Sequence, residues 1–139
     1  MKKYKVGYTT GVFDMFHIGH LNILRRAKEQ CEYLIVGVST DELVKEYKNK
    51  IPIIPFDERA EIVQSIDCVD KVVPQTNRDK FLAWKKHSFD VMFVGDDWKG
   101  KPLFIEVEEE FKKVGVDVVY FPYTKDTSST ILREKLGVK

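Results

Sequence analysis

The chain has 139 residues, which is the length of one ordinary domain (residues 1–139). Lys and Arg number 23 and Asp and Glu number 22, so the formal net charge is +1. This balance argues against a nucleic-acid partner and against a polybasic membrane partner, although it leaves room for a small basic pocket. The two cysteines, Cys31 and Cys68, form no CxxC pair and predict neither a disulfide framework nor a zinc knuckle.

The apolar segments are short. The basic first residues run directly into a strand-like stretch, without the long apolar region of a signal peptide. The longest apolar stretch, residues 33–38, is far below the roughly 20 residues that a membrane-spanning helix needs. We therefore expect a cytoplasmic protein.

Strand-like and helix-like segments alternate along the chain. Apolar residues at Leu21, Leu24 and Ala27 have helical spacing, whereas residues 33–38 form the continuous apolar run of a strand that is buried on both faces. In chain order we predict strand 4–10, helix 18–31, strand 33–38, a helix that starts within 39–42, loop 48–55, helix 56–66, strand 71–73, helix 79–86, strand 90–94, helix 102–114, strand 116–121 and helix 128–136.

This alternation predicts an α/β fold. We expect a doubly wound, Rossmann-like, parallel five-stranded sheet with helices on both faces. Ligands of such folds bind outside the carboxyl ends of the strands, near the point where the strand order reverses. The segments in which we expect the chemistry are therefore those that follow strands, namely residues 10–20, 95–101 and 123–130.

The first of these segments contains two histidines three residues apart. His17 and His20 share one face of the predicted helix opening, and Gly19 between them permits close approach to the backbone. A helix N-terminus has free N–H groups that suit a phosphate. A metal-binding role for the pair stays open, although no third ligand is near, and so does a purely structural role in capping and packing.

Four segments in register resemble one family. Residues 17–20 resemble the HxGH signature of the nucleotidyltransferase superfamily, and with Gly11-Val12-Phe13-Asp14 they resemble its cytidylyltransferase branch. Residues 95–101 (GDDWKGK) resemble the GDDW segment of bacterial glycerol-3-phosphate cytidylyltransferases, and residues 127–131 (TSSTI) resemble the end of their RTEGISTT segment. Asp57-Glu58-Arg59, preceded by Lys48 and Lys50, matches a further element.

The resemblance implies a set of site residues. The implied catalytic residues, which contact phosphates, are His17, His20, Lys48 and Arg59. The implied nucleotide-binding residues are Thr10, Gly11, Val12, Phe13, Asp14, Gly19, Asp97, Trp98, Thr127, Ser128, Ser129 and Thr130. The implied substrate-binding residues are Lys50, Trp98 and Lys125. Asp14 would orient the site or its cation, and no protein side chain is assigned to a metal.

The resemblance also implies a reaction. CTP and a small phosphorylated alcohol, with glycerol 3-phosphate as the natural acceptor, would give CDP-glycerol and pyrophosphate. Mg²⁺ is expected to accompany the triphosphate, and such enzymes are commonly homodimers that supply precursors of teichoic acid or capsule. Because a phosphate oxygen is already an anionic nucleophile, positioning and charge stabilisation should suffice for catalysis.

Two departures from the family pattern leave alternatives open. The Arg that begins the family's RTEG segment is Tyr123 here, with Lys125 two residues on, and a second family Arg falls at Asp67. These changes put the acceptor in doubt, so another phospho-alcohol such as phosphoethanolamine, or ATP in place of CTP, remains an alternative. A non-catalytic nucleotide-binding module is the alternative of a different class.

Overall fold

A computed structural model describes residues 2–122 and 129–137. The strands are β1 (Tyr4–Gly11), β2 (Cys31–Ser39), β3 (Lys71–Gln75), β4 (Val91–Gly95) and β5 (Asp117–Phe121). The helices are α1 (Ile18–Gln30), α2 (Asp41–Lys48), α3 (Phe56–Gln64), α4 (Lys80–His87), α5 (Pro102–Lys112) and α6 (Ser129–Lys135), and a 3₁₀ turn covers Asp96–Trp98.

All five strands are parallel and form one sheet in the order β3-β2-β1-β4-β5. The predicted α/β class and the parallel five-stranded sheet are therefore confirmed. Strands β2 and β3 lie in succession on one side of β1, and β4 and β5 lie in succession on the other side. This reversal puts the crevice between the ends of β1 and β4, where doubly wound folds bind ligands.

The sheet has a hydrophobic core on each face. Successive residues of β4 alternate between the two cores: Val91 and Phe93 face one, and Met92 and Val94 face the other. The first core is covered by α1 and α3, and the second is covered by α4 and α5. Helices thus cover both faces, as the continuous apolar strands predict. Within the described ranges, none of the helices combines the length and the apolar character needed to cross a membrane.

The element boundaries differ from the predictions by at most two residues. Cys31 begins β2 instead of ending α1, because its backbone is already extended (φ −136°, ψ 156°). Pro74, which follows the predicted strand 71–73, lies inside β3. This position is tolerated because β3 is an edge strand, so the missing N–H of Pro74 costs no ladder hydrogen bond on the outer side.

Candidate active site

A cavity of about 370 Å³ opens at the carboxyl ends of the strands, beside the crevice between β1 and β4. It is lined by residues that follow β1, β2, β3 and β4, together with residues of α6. The predicted site residues that line it are Thr10, Gly11, Val12, Phe13, Asp14, His20, Lys48, Lys50, Asp97, Trp98, Ser129 and Thr130. The sequence-predicted segments that the structure describes thus converge on one site.

The two histidines form a reciprocal cap at the start of α1. Nδ1 of His17 accepts a hydrogen bond from the backbone N–H of Gly19 (3.1 Å), and Nδ1 of His20 accepts one from the backbone N–H of His17 (3.2 Å). The two rings stack with their centroids 3.9 Å apart. Because both Nδ1 atoms accept hydrogen bonds, the neutral form of each ring carries its proton on Nε2.

The surroundings of the pair favour neutral imidazoles. His20 lies against the rings of Phe13 and Phe16, with centroid distances of 5.3 Å to each. Burial, and secondarily the neighbouring His17, lower the pKa of His20 to about 3. Burial also lowers the pKa of His17. Both rings are therefore neutral donors near pH 7, each with an Nε2–H group.

His20 lines the cavity, whereas His17 lies behind it, half-buried. The Nε2 atom of His17 is buried and has no hydrogen-bond partner among the described residues. A buried donor without a partner costs free energy, so such an atom is a reason to expect a ligand. Gly19, predicted to contact nucleotide, is buried in the first turn of α1, where its N–H is used by His17.

Asp14 is a buried anchor between three parts of the site. Its two carboxylate oxygens accept hydrogen bonds from the backbone N–H groups of Ile53 (2.8 Å) and Ile54 (2.9 Å). Arg133 of α6 lies 3.5 Å from the same carboxylate. Asp14 thereby fixes the loop that follows α2, and its neighbours Phe13 and Met15 have positive φ angles of 56° and 51°. Such strained backbone is held only where its surroundings determine it strongly.

The structure places Arg59, which the sequence predicts to contact a phosphate, away from the cavity. Its side chain is 1% exposed and does not line the cavity. The guanidinium makes four hydrogen bonds to the protein, with the carbonyl oxygens of Ile54, Val12 and Ser39 and with the carboxylate of Asp41 at 2.6 Å. These hydrogen bonds link the end of β1 to the start of α2. The guanidinium donors are therefore used within the protein.

The last helix closes one side of the cavity. The Ser129 hydroxyl donates to the carbonyl oxygen of Asp14 (2.6 Å), so it attaches α6 to the first loop, and Thr130 lines the cavity beside it. Arg133 also donates to the carbonyl oxygen of Ile51 (3.4 Å). The predicted contacts of Lys125, Thr127 and Ser128, and the departure at Tyr123, lie outside the described residues.

Sequence reasoning missed two cations of the cavity rim, Arg78 and Lys80, which follow β3. Burial, and secondarily Arg78, lower the pKa of Lys80 to about 8. Burial, then Lys50 and Arg78, lower the pKa of Lys48 on the same rim. The sequence shows these two basic residues just beyond the end of a predicted strand. They belong to none of the motifs that indicated the other site residues.

At the other end of the cavity lies the segment that follows β4. Trp98 is 37% exposed and lies 5.6 Å from Phe104, measured between ring centroids. A side chain on Gly95 would approach the carboxylate of Asp97 to 2.6 Å, so the turn packs tightly around that glycine. The end near β4 is thus aromatic, and the end near β3 is cationic.

A Rossmann-like sheet with paired imidazoles at its first helix and a cationic rim defines a domain of the nucleotide-transferring class. The model of the family described as cytidylyltransferase-like matches residues 8–135, and the chain belongs to that family. The glycerol-3-phosphate cytidylyltransferase of Bacillus spizizenii is 39% identical over 93% of this chain and 95% of its own length. The enzyme of the same name from Staphylococcus aureus is 35% identical over 92% of each chain.

More distant similarities extend the comparison. An FAD synthase of Thermococcus sibiricus is 35% identical over 88% of this chain and 84% of its own length. The crystal structure of a lipopolysaccharide core biosynthesis protein from Thermoplasma volcanium superposes with a TM-score of 0.72 at 24% identity. It covers 89% of this chain and 99% of that one. At this identity the superposition establishes the shared fold alone.

Proposed function

We propose that this protein transfers CMP from CTP to glycerol 3-phosphate, giving CDP-glycerol and pyrophosphate. Relatives of that name match nearly the whole chain at 35–39% identity. The observation that carries the proposal is the stacked pair of His17 and His20. His20 lines the cavity, and the Nε2 atom of His17 is a buried donor without a protein partner among the described residues. A protein of this family with such a pair is equipped for phosphoryl chemistry.

The proposed reaction is an in-line displacement at the α-phosphorus of CTP. A phosphate oxygen of the acceptor forms the new P–O bond, and the bond between the α-phosphorus and the bridging oxygen to the β-phosphate breaks. The bond's electron pair leaves with pyrophosphate. Because the attacking oxygen is already anionic, no protein group has to remove a proton from it.

His17 and His20 stabilise the charge that develops on the phosphoryl oxygens. Their Nδ1 atoms are used by backbone donors, which orients each Nε2–H group before the substrate arrives. Donors that are already oriented stabilise a transition state without reorganisation at the moment of reaction. Since both pKa values are lowered by burial, the rings act as hydrogen-bond donors and need not act as acids.

The remaining groups bind the substrates or position the loop that contacts them. Lys48 and Lys50 on the rim would neutralise phosphate charge, and Asp97, Trp98 and Thr130 would contact the nucleotide. Asp14 and Arg59 position the loop that carries the lysines. We assign Mg²⁺ to the triphosphate as part of the substrate, because Mg²⁺ is commonly bound through the phosphates of a substrate.

The test is a pyrophosphate-release assay that crosses CTP, ATP, UTP and GTP with glycerol 3-phosphate, phosphoethanolamine and FMN, with and without Mg²⁺. We expect release that requires CTP and glycerol 3-phosphate, with CDP-glycerol identified by mass spectrometry. Release with ATP and FMN would instead place the chain with the FAD synthase relatives. Retention of CTP without any release would make it a nucleotide-binding module.

Two substitutions isolate the imidazole donors from the helix cap. Asn at position 17 and Gln at position 20 can keep a side-chain oxygen as the acceptor of the cap, and they replace the imidazole Nε2–H with an amide NH₂ in a different position. We expect His17→Asn and His20→Gln each to lower kcat by roughly 10²–10³-fold. The matched control is His87→Asn, since His87 stacks on Tyr8 outside the cavity (5.8 Å). Unchanged turnover in the first two variants would refute the role of the pair.

Three further expectations belong to this proposal. The product would be a precursor for teichoic acid or capsule, the protein would be cytoplasmic, and it would act as a homodimer. Sedimentation equilibrium at micromolar concentration tests the last of these, and a monomer mass would contradict it.

A further inference from the structure

A buried polar pair lies on the cavity wall where β2 and β3 end. Ser39 and Gln75 are the last residues of these two strands and are partners in the sheet register. Ser39 is 2% exposed and Gln75 is 9% exposed, and both line the cavity. The Ser39 hydroxyl donates to Oε1 of Gln75 (3.0 Å). The reaction proposed above uses neither side chain.

The backbone around this pair is held on both strands. The carbonyl oxygen of Ser39 accepts a hydrogen bond from Nη1 of Arg59 (2.8 Å), and the carbonyl oxygen of Gln75 accepts one from the N–H of Thr40 (3.1 Å). Because Ser39 also engages Oε1, the Gln75 amide has a defined orientation. A group that is oriented before its ligand arrives loses little conformational freedom on binding.

The Nε2 group of Gln75 is the donor that this arrangement leaves for a ligand. It makes no hydrogen bond to the described part of the chain, and it belongs to a side chain that lines the cavity. A nearly buried amide without a partner for its N–H donors costs free energy. A hydroxyl group has lone pairs that accept from such a donor, whereas an ammonium group has donors alone. The exposed side of the amide therefore suits a hydroxyl group of a ligand.

The sheet order places this pair on the acceptor side of the cavity. Trp98 follows β4, on one side of β1, whereas Ser39 and Gln75 end the two strands on the other side. The histidines follow β1, and β3 lies two strands away, at roughly 10 Å for a strand spacing of about 4.8 Å. With the nucleoside at the Trp98 end and the α-phosphate at the histidines, the carbon tail of the acceptor extends toward β2 and β3.

We propose that Gln75, oriented by Ser39, is a specificity-determining residue that donates a hydrogen bond to a hydroxyl group on the tail of the acceptor. This inference rests on the proposed function and refines it. A residue in this role selects a phospho-polyol such as glycerol 3-phosphate over acceptors whose tail is apolar or ends in an ammonium group. A site that hydrogen-bonds a substrate hydroxyl rejects the analogue without it, because that analogue leaves the polar group of the site unpaired.

The test measures kcat/KM for three acceptors: glycerol 3-phosphate, propyl phosphate, which lacks both hydroxyls, and phosphoethanolamine. Gln75→Met keeps the length of the side chain and removes the amide. We expect this variant to lower kcat/KM for glycerol 3-phosphate at least about tenfold, which corresponds to about 1.4 kcal/mol. The values for the other two acceptors and the KM for CTP should change by less than about threefold. Ser39→Ala, which removes the group that orients the amide, should lower kcat/KM for glycerol 3-phosphate by a smaller factor than Gln75→Met.

The matched control is Gln64→Met. The Oε1 atom of Gln64 also accepts a hydrogen bond, from the N–H of Val72 (3.1 Å), but its side chain lies outside the cavity. This variant should leave all of these constants unchanged. An equal fall for glycerol 3-phosphate and propyl phosphate in Gln75→Met would show that Gln75 only supports the fold of the site, and would overturn the inference. An unchanged kcat/KM for glycerol 3-phosphate in Gln75→Met would overturn it as well.

A binding measurement separates this inference from the proposed reaction. Isothermal titration of glycerol 3-phosphate and of propyl phosphate into the wild type and into Gln75→Met requires no turnover. If the substitution weakens the binding of glycerol 3-phosphate alone, at least about tenfold, the hydroxyl contact stands even where no pyrophosphate is released, and only the proposed reaction fails. If it weakens both ligands equally or neither, or if the wild type does not bind glycerol 3-phosphate, the assignment of Gln75 is wrong.

Discussion

The backbone N–H of His17 donates to Nδ1 of His20, while the two rings stack 3.9 Å apart. The same two side chains therefore cap the helix and provide the hydrogen-bond donors proposed for the reaction. The hydrogen bonds that begin α1 also orient the Nε2–H groups, and the burial of the pair keeps both imidazoles neutral. The same groups should therefore be visible in the pH dependence of stability.

We predict that stability falls as the pH is lowered from 7 toward 5, in part because of this pair. Burial lowers the folded-state pKa of His20 from 6.5 to about 3, so the unfolded chain binds a proton in this range that the folded chain does not. Stability that is present above pH 6.5 is thus lost as the pH falls toward 3. For one such group the loss between pH 7 and pH 5 is about 2 kcal/mol.

Urea unfolding at several pH values measures this slope. His20→Gln should flatten it, because the titrating group is removed while the cap acceptor stays. Some slope will remain, since burial also lowers the pKa values of His17 and His87. An identical slope in the wild type and in His20→Gln would show that folding does not lower the pKa of His20.

Arg59 is predicted to act on stability and loop position instead of on phosphate binding. Lys at position 59 keeps the charge but cannot reproduce four hydrogen bonds in a planar arrangement. We expect Arg59→Lys to lose about 2 kcal/mol of stability, which lowers Tm by about 6 °C in a domain of this size. Calorimetry measures the change, with the exposed Arg25→Lys as the control. If Arg59→Lys had the Tm of the wild type and a raised KM for CTP, the result would favour a contact of Arg59 with a phosphate of the nucleotide.

Asp14 is predicted to hold the loop between α2 and α3. In Asp14→Asn one of the two N–H acceptors becomes a donor, so one of the bonds from Ile53 and Ile54 is lost. We expect hydrogen exchange of these two amides to accelerate at least about tenfold, which corresponds to about 1.4 kcal/mol. Asp57→Asn, at an exposed position of α3, is the control. Unchanged exchange would mean that the loop is held by other contacts.

The parts of this protein that depend on local sequence were predictable. The apolar runs of β2 and β4 and the His17-Ile18-Gly19-His20 segment each indicate their structure within a few residues, and the parallel sheet follows from their alternation. The role of Arg59 was not predictable, because its burial depends on carbonyl groups from β2 and from the loop after β1, which meet the segment before α3 only in the fold. Arg78 and Lys80 reach the cavity because the sheet order brings β3 to the site, and no pattern of charges in the sequence contains that order.

Trp98 is predicted to report nucleotide binding by fluorescence. The chain has two tryptophans, and Trp84 packs against the core formed with α5, outside the cavity. In Trp84→Phe the emission comes from Trp98 alone, which is part-exposed on the cavity wall. Because a stacked or neighbouring base alters the environment of an indole, titration with CTP should change this emission saturably. Trp98→Phe, which keeps Trp84, should respond little to CTP. A saturable response of Trp98→Phe equal to that of Trp84→Phe would place the base away from residue 98.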